Sequence, residues 1–136
     1  MYRSLLVTVI LFGAANAAMA GPAPAISSFE IIEVSSAKSS AESVPASALI
    51  TTRDHGGSYI QIKVLQMGYS AQNPIAGMDT YPMTLVSTEY RTNAARQVIG
   101  FVYTFKISKG FESGTVSVSS FSINTGRKWT DSIRIK

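Results

Sequence analysis

The sequence contains no cysteine. No disulfide can support the fold, no thiolate can act as a nucleophile or zinc ligand, and a thioether-linked lipid anchor is excluded. Histidine occurs once, as His55, and structural zinc sites draw on several His or Cys side chains. Charge is sparse as well: charged residues make up 15% of the chain and the formal net charge is +4. The cations are scattered, so the footprint of a nucleic-acid partner is missing. Neither a G-x-x-x-x-G-K nor a G-x-G-x-x-G pattern occurs, which leaves nucleotide chemistry without a phosphate-binding loop. No G-x-S-x-G elbow is present to supply a serine nucleophile. The only loop oxygens that could serve calcium, from Asp54, Asn73 and Asp79, lack the spacing of a calcium loop. No metal and no cofactor are expected.

What is present begins with a cationic start, Met1-Tyr2-Arg3, and an apolar run from Leu5 to Ala15 broken only by Thr8 and Gly13. These are the first two regions of a secretory signal. Ala18 and Ala20 then place small side chains where a signal peptidase requires them, and cleavage is predicted after Ala20. The run is shorter than the roughly 20 residues that span a bilayer, and Gly21-Pro22-Ala23-Pro24 follows it. A secreted product without a transmembrane segment, in the periplasm or the medium, is therefore expected. Residues 21–136, about 116 in number, suit a single domain.

Along that domain apolar residues recur at a spacing of two, amid many β-branched and aromatic residues, which predicts an all-β fold. Strands are expected over Ser28–Val34, Tyr59–Met67, Thr80–Glu89, Gln97–Ser108, Thr115–Ile123 and Trp129–Lys136. Ser35 to Ala48 reads as a long connection whose alanines permit a short helix. Leu49–Thr52 is expected to form a hairpin with Tyr59–Met67 through Arg53-Asp54-His55-Gly56-Gly57, because adjacent glycines tolerate positive φ. Gly68 to Asp79 is the longest irregular loop expected, and Tyr90 to Ala95 a turn. Six or seven strands joined by short turns suggest a small antiparallel β-sandwich, with a partly open barrel as the alternative.

Gln97 to Ser108 carries the clearest pattern, with Phe101, Tyr103, Phe105 and Ile107 on one face. The last three strands are expected to run as an antiparallel meander that buries Phe101, Phe105, Trp129 and Ile133. Asp131 falls on the same inward face as Trp129 and Ile133, so it requires a partner or a bulge.

Loops carry the candidate functional residues. His55 beside Asp54 could act as a general base, since imidazole titrates near neutrality. A hydrolase would also need a hydroxyl nucleophile brought to that ring. The competing reading makes His55 a turn residue. The aromatic and polar groups in or beside these loops, Arg53, His55, Tyr69, Asn73, Asp79 and Tyr81, form the candidate ligand-binding set. Ser113 to Ile123, where hydroxyl and apolar residues alternate, would also suit a membrane-inserting hairpin. The reading preferred is a non-enzymatic binding module for an extracellular or cell-envelope ligand, with a secreted hydrolase using His55 and a pore-forming protein as alternatives.

The run Thr51-Thr52-Arg53-Asp54-His55-Gly56-Gly57, followed by the alternating strand to Met67-Gly68-Tyr69, resembles the small secreted bacterial proteins typified by YolA of bacilli. That resemblance implies export and a compact β fold, and it implies no reaction.

Overall fold

The computed structural model describes residues 23–136; the predicted signal peptide, residues 1–20, lies outside them. Nine strands occur in the described chain: β1 (Ser28–Ser36), β2 (Glu42–Ser43), β3 (Ile60–Met67), β4 (Ile75–Met78), β5 (Tyr81–Pro82), β6 (Thr84–Thr92), β7 (Val98–Ile107), β8 (Gly114–Phe121) and β9 (Lys128–Ile135). They form two antiparallel sheets, one of five strands in the order β2-β1-β3-β7-β6 and one of four in the order β5-β4-β8-β9. The sheets pack face to face as a β-sandwich and do not close into a barrel. Among the described residues no helix is long and apolar enough to cross a membrane.

Period-two alternation builds the core, because successive side chains of a strand point to opposite faces. In β3 the inward residues Ile60, Ile62 and Val64 are fully buried, while Gln61, Lys63 and Leu65 point outward. They join Phe29, Ile31 and Val34 of β1, and Tyr103 and Phe105 of β7. The opposite sheet supplies Ala76 and Met78 from β4, Val116 and Val118 from β8, and Ile133 and Ile135 from β9. Each such side chain gains about 1.5–3 kcal/mol from full burial, which lets a chain without cross-links hold together.

β1 contains one irregularity. Ile31 pairs with Val64 and Glu33 with Lys63, so Ile32 is an extra residue in the ladder. The bulge resets the alternation: Phe29 and Ile31 face inward before it, Val34 and Ser36 after it. Ser36 thereby reaches the interior.

Several local expectations give way to the tertiary pairing. The connection from Ser35 to Ala48 holds the short strand β2 and no helix. Leu49–Thr52 is not a hairpin partner of β3, which pairs with β1 and β7. That segment instead runs beside β9, with Thr51 N–H donating to the Arg134 carbonyl at 3.0 Å and Arg134 N–H to the Leu49 carbonyl at 3.0 Å. The loop Gly68–Asp79 contains β4. The strand expected over Thr80–Glu89 is split at buried Met83, where the chain crosses from β5 in one sheet to β6 in the other. β6 then continues through Tyr90 to Thr92, and the turn falls at Asn93, whose Oδ1 accepts from the Ala95 and Gln97 amides.

The meander is also corrected, because β7 lies in the five-stranded sheet while β8 and β9 pair in the other. Phe105 and Ile133 are buried as expected. Phe101 and Trp129 are half-buried at the rim and pack against the core from there.

Candidate functional site

His55 is sealed inside the protein, with 1% of its surface exposed. Its Nδ1 lies 3.0 Å from Ser36 Oγ, and its Nε2 lies 3.0 Å from Glu42 Oε1. A serine, a histidine and a carboxylate are thus connected in series, as in a hydrolytic triad. The remaining hydrogen bonds give the cluster a different character. Ser36 Oγ already accepts from the amides of Ser39 at 3.1 Å and Gly56 at 3.3 Å. Both lone pairs are occupied, so the hydroxyl proton goes to Nδ1, and Nε2–H is left to donate to Glu42. A nucleophile needs a free lone pair and access to substrate, and this hydroxyl, 5% exposed, has neither. The carboxylate on the imidazole is Glu42, and Asp54 is exposed at the surface.

Glu42 closes the network. Its Oε2 accepts from the Thr52 amide at 2.6 Å and the Thr52 hydroxyl at 2.9 Å, and its Oε1 accepts from the Arg53 amide at 3.0 Å. Burial by itself would raise the pKa of this carboxyl. The hydrogen bonds from Thr52, Arg53 and His55 outweigh it and hold the group at about 2, below its ordinary 4.5. Short β2 brings Glu42 to the loop, and the bulge at Ile32 brings Ser36. The cluster is a buried polar pin that fixes the segment from Thr51 to Gly56 against β1.

The other candidate residues separate into three places. Arg53 is exposed and its guanidinium donates to Ser40 Oγ at 3.1 Å and to the Ala41 carbonyl at 3.0 Å. Tyr69 belongs to the packing: its hydroxyl donates to the Val98 carbonyl at 2.7 Å, and its ring meets Phe101 edge-on at 5.2 Å. Asp79 and Tyr81 come together on the outer surface of the four-stranded sheet, and Asn73 lines an adjoining depression. His55, expected to contact a ligand, faces the interior and is removed from that role.

The surface that gathers Asp79 and Tyr81 is an open groove of about 690 Å³. Its floor is the outer face of β8 and β9, where Ser117 is opposite Ser132 and Ser119 is opposite Thr130 in the strand register. Because β8 and β9 alternate, these four hydroxyl side chains face out while Val116, Val118 and Ile133 face the core. Tyr81, 49% exposed, borders the groove with Thr80 and Pro82. Lys109 Nζ lies 4.3 Å from the centre of the Tyr81 ring, within range of a cation–π contact. Lys128 lines the groove farther along β9. The second depression holds Asn73 and exposed Phe121, and shares Ile75 and Ser119 with the first.

Asp79 is fixed by its backbone. It takes a positive φ of 53°, and its Oδ1 accepts from the Thr115 amide at 3.1 Å. Asp131 is engaged as well, with its carboxylate accepting from the Ile31 and Ser132 amides. Among the described residues no group of three or more His, Asp or Glu side chains could hold a metal ion. The hydroxyls of β8 and β9 do not stand out in the sequence as site residues. The alternation of Ser113–Ile123 is visible there, but its pairing with Thr130 and Ser132 is not.

Fold and surface together define a Cys-free antiparallel β-sandwich that presents a hydroxyl-rich groove on one sheet. Residues 21–135 match the family described as "Domain of unknown function (DUF4879)", and the chain belongs to that family. No curated protein and no solved structure matches the chain.

Proposed function

We propose that this protein is exported and acts outside the cytoplasm as a non-enzymatic binding module, with the groove on β8 and β9 receiving a polyhydroxylated glycan of the cell envelope or its surroundings. The observation that carries this reading is the register of the four groove hydroxyls, Ser117 with Ser132 and Ser119 with Thr130, beside exposed Tyr81. A hydroxyl both donates and accepts, so an array of them matches the mixed hydrogen-bonding face of a sugar. An aromatic ring at the border adds apolar contact for the C–H face of a pyranose. The open form of the groove suits a chain that lies along it, whereas small-molecule sites enclose most of their ligand.

A binding role is favoured over glycoside hydrolysis because the latter uses two carboxyl groups flanking the scissile bond. Asp79 and Asp131 already accept backbone amides, and the single histidine is sealed in the interior. Export is supported by the signal-like residues 1–20, by a family match that starts at residue 21, and by the resemblance to the secreted proteins typified by YolA.

The test is a binding screen of the purified protein against soluble polysaccharides, cell-wall fragments and lipid vesicles. Glycan binding that Tyr81→Ala and Ser119→Ala weaken, with unchanged thermal melting, is the expected result. Binding to vesicles alone, or glycan binding indifferent to both substitutions, would overturn the reading.

A further inference from the structure

Strand β6 ends the five-stranded sheet, and among the described residues no strand pairs with its outer edge. Of its nine residues, all but Leu85 are exposed, including Val86 at 51% and Tyr90 at 66%. Natural edge strands are commonly guarded by proline, charged side chains (lysine above all), short length or bulges; the charges of this strand, Glu89 and Arg91, are of opposite sign. Thr84–Thr92 has neither proline nor lysine. Its one bulge before Arg91, at Val86, interrupts only the start, since Leu85 pairs with Phe105 and Ser87 with Thr104. From Ser87 to Arg91 the ladder to β7 is continuous, so the free edge there is regular and open to a further strand.

The sequence of that open stretch is Ser87-Thr88-Glu89-Tyr90-Arg91, and Thr92 follows it after a second register shift, between Arg91 and Thr92. Laid antiparallel on itself about Tyr90, the segment from Thr88 to Thr92 is self-complementary: Thr88 meets Thr92, Glu89 meets Arg91, and Tyr90 meets Tyr90. Directly opposed residues project from the same face of a sheet. Glu89 and Arg91 share the outer face, so each copy's carboxylate would stand opposite the other copy's guanidinium on both sides of the axis. Tyr90 lies on the other face beside Phe101, with ring centres 5.7 Å apart, and the two copies of it would meet at the axis. Shifting the centre to Glu89 or to Arg91 sets like charges against each other, which disfavours those registers. Among the described residues the ion pairs do not include Glu89 or Arg91, so both charges are available to a partner.

We propose that two copies of this chain pair through β6, antiparallel and centred on Tyr90, to form one continuous sheet of ten strands about a twofold axis. The axis is perpendicular to the sheet, so the two four-stranded sheets lie on the same side and present their outer faces in one direction. The pairing stands independently of what those faces bind.

Sedimentation equilibrium over a range of protein concentrations, with thermal melting of each variant as the check on folding, tests the proposal. The parent protein is expected to dimerise. Glu89→Arg and Arg91→Glu each replace two attractive pairs by two repulsive ones, and each should weaken self-association by about tenfold or more. Mixing the two single variants restores complementarity at both pairs, and so does the double charge swap in one chain. Both should recover the parent affinity while melting as the parent does. A parent protein that stays monomeric would overturn the proposal. So would a dimer that neither single variant weakens, or weakened variants that fail to recover on mixing.

Discussion

The Asp131 carboxylate accepts a 2.8 Å hydrogen bond from the Ile31 amide, tying β9 of one sheet to β1 of the other. β2 covers β1 only at Glu33 and Val34, so the Ile31 amide has no strand neighbour on that side. Asp131 takes the place of one. The second oxygen accepts from the Ser132 amide at 2.9 Å, which is how an inward-facing carboxylate is accommodated beside an apolar core. Asp131→Ala leaves the amide of a residue that is 1% exposed without a partner. It should cost about 1–3 kcal/mol. Asp131→Asn keeps an acceptor oxygen and should cost less. Urea unfolding of both variants provides the comparison, and equal losses would show that the acceptor is not what matters.

Glu42 makes stability depend on acid. Its carboxyl is held at about 2 in the folded protein against 4.5 as its ordinary value, so the native state favours the ionised form. That contribution is complete above pH 4.5 and is lost as pH falls from there through about 2. Glu42→Gln should lower stability at neutral pH and flatten its decline across the same window. Denaturant midpoints of parent and variant over that range test the expectation, and parallel curves would remove Glu42 as the cause.

His55→Ala acts on the same cluster, with the opposite outcome from that of an exposed turn residue. The substitution deletes the partner of both Ser36 and Glu42 and leaves a cavity in a fully buried position. A loss of at least about 2 kcal/mol is expected. A variant that melts with the parent would return His55 to the role of a passive loop residue.

Strand content and facing are legible in the sequence wherever alternation runs unbroken, as in Tyr59–Met67 and Gln97–Ser108. Which sheet a strand joins is not, because pairings such as that of β8 with β4 are made between distant segments. Ser36 is hidden because the bulge at Ile32 shifts the phase of β1, and a bulge leaves no mark in a period-two pattern. The place of His55 is hidden for a related reason: its partners lie 19 and 13 residues away in sequence, while adjacent Asp54 is exposed at the surface. Asp79 is recognisable as a loop residue and Tyr81 as a residue beside that loop, although the strands that unite them with Ser117 and Thr130 are not.

Gly68 is required by close approach as well as by backbone angle. Its φ is +95°, and a Cβ there would run into the carbonyl oxygen of Ala25. Flanking hydrogen bonds, from the Ser27 amide to the Met67 carbonyl and from the Tyr69 amide to the Pro24 carbonyl, hold the two segments together at that point. Gly68→Ala should destabilise the fold by more than about 1 kcal/mol. Thermal melting beside Gly110→Ala, whose added Cβ meets no neighbour within 4 Å, isolates the effect. Equal melting of the two variants would argue against the close approach.

Phe105 and Tyr81 separate the roles of core and surface. Phe105 is 2% exposed and packs between the sheets with Tyr103, at a ring distance of 6.5 Å. Tyr81 is 49% exposed at the groove border. Truncating a buried phenylalanine to alanine costs about 3–5 kcal/mol, from lost transfer energy and the cavity left behind. Against the roughly 5–15 kcal/mol that holds a small domain together, Phe105→Ala should unfold the protein or bring it close to unfolding. Tyr81→Ala removes a ring that the core does not use, so its midpoint should stay near that of the parent while glycan binding falls. Denaturant unfolding of the two variants, paired with a binding measurement on each one that remains folded, distinguishes the cases. A marginal stability loss at Phe105 would contradict the facing of β7, and a large one at Tyr81 would make that ring part of the structure and withdraw it from the groove.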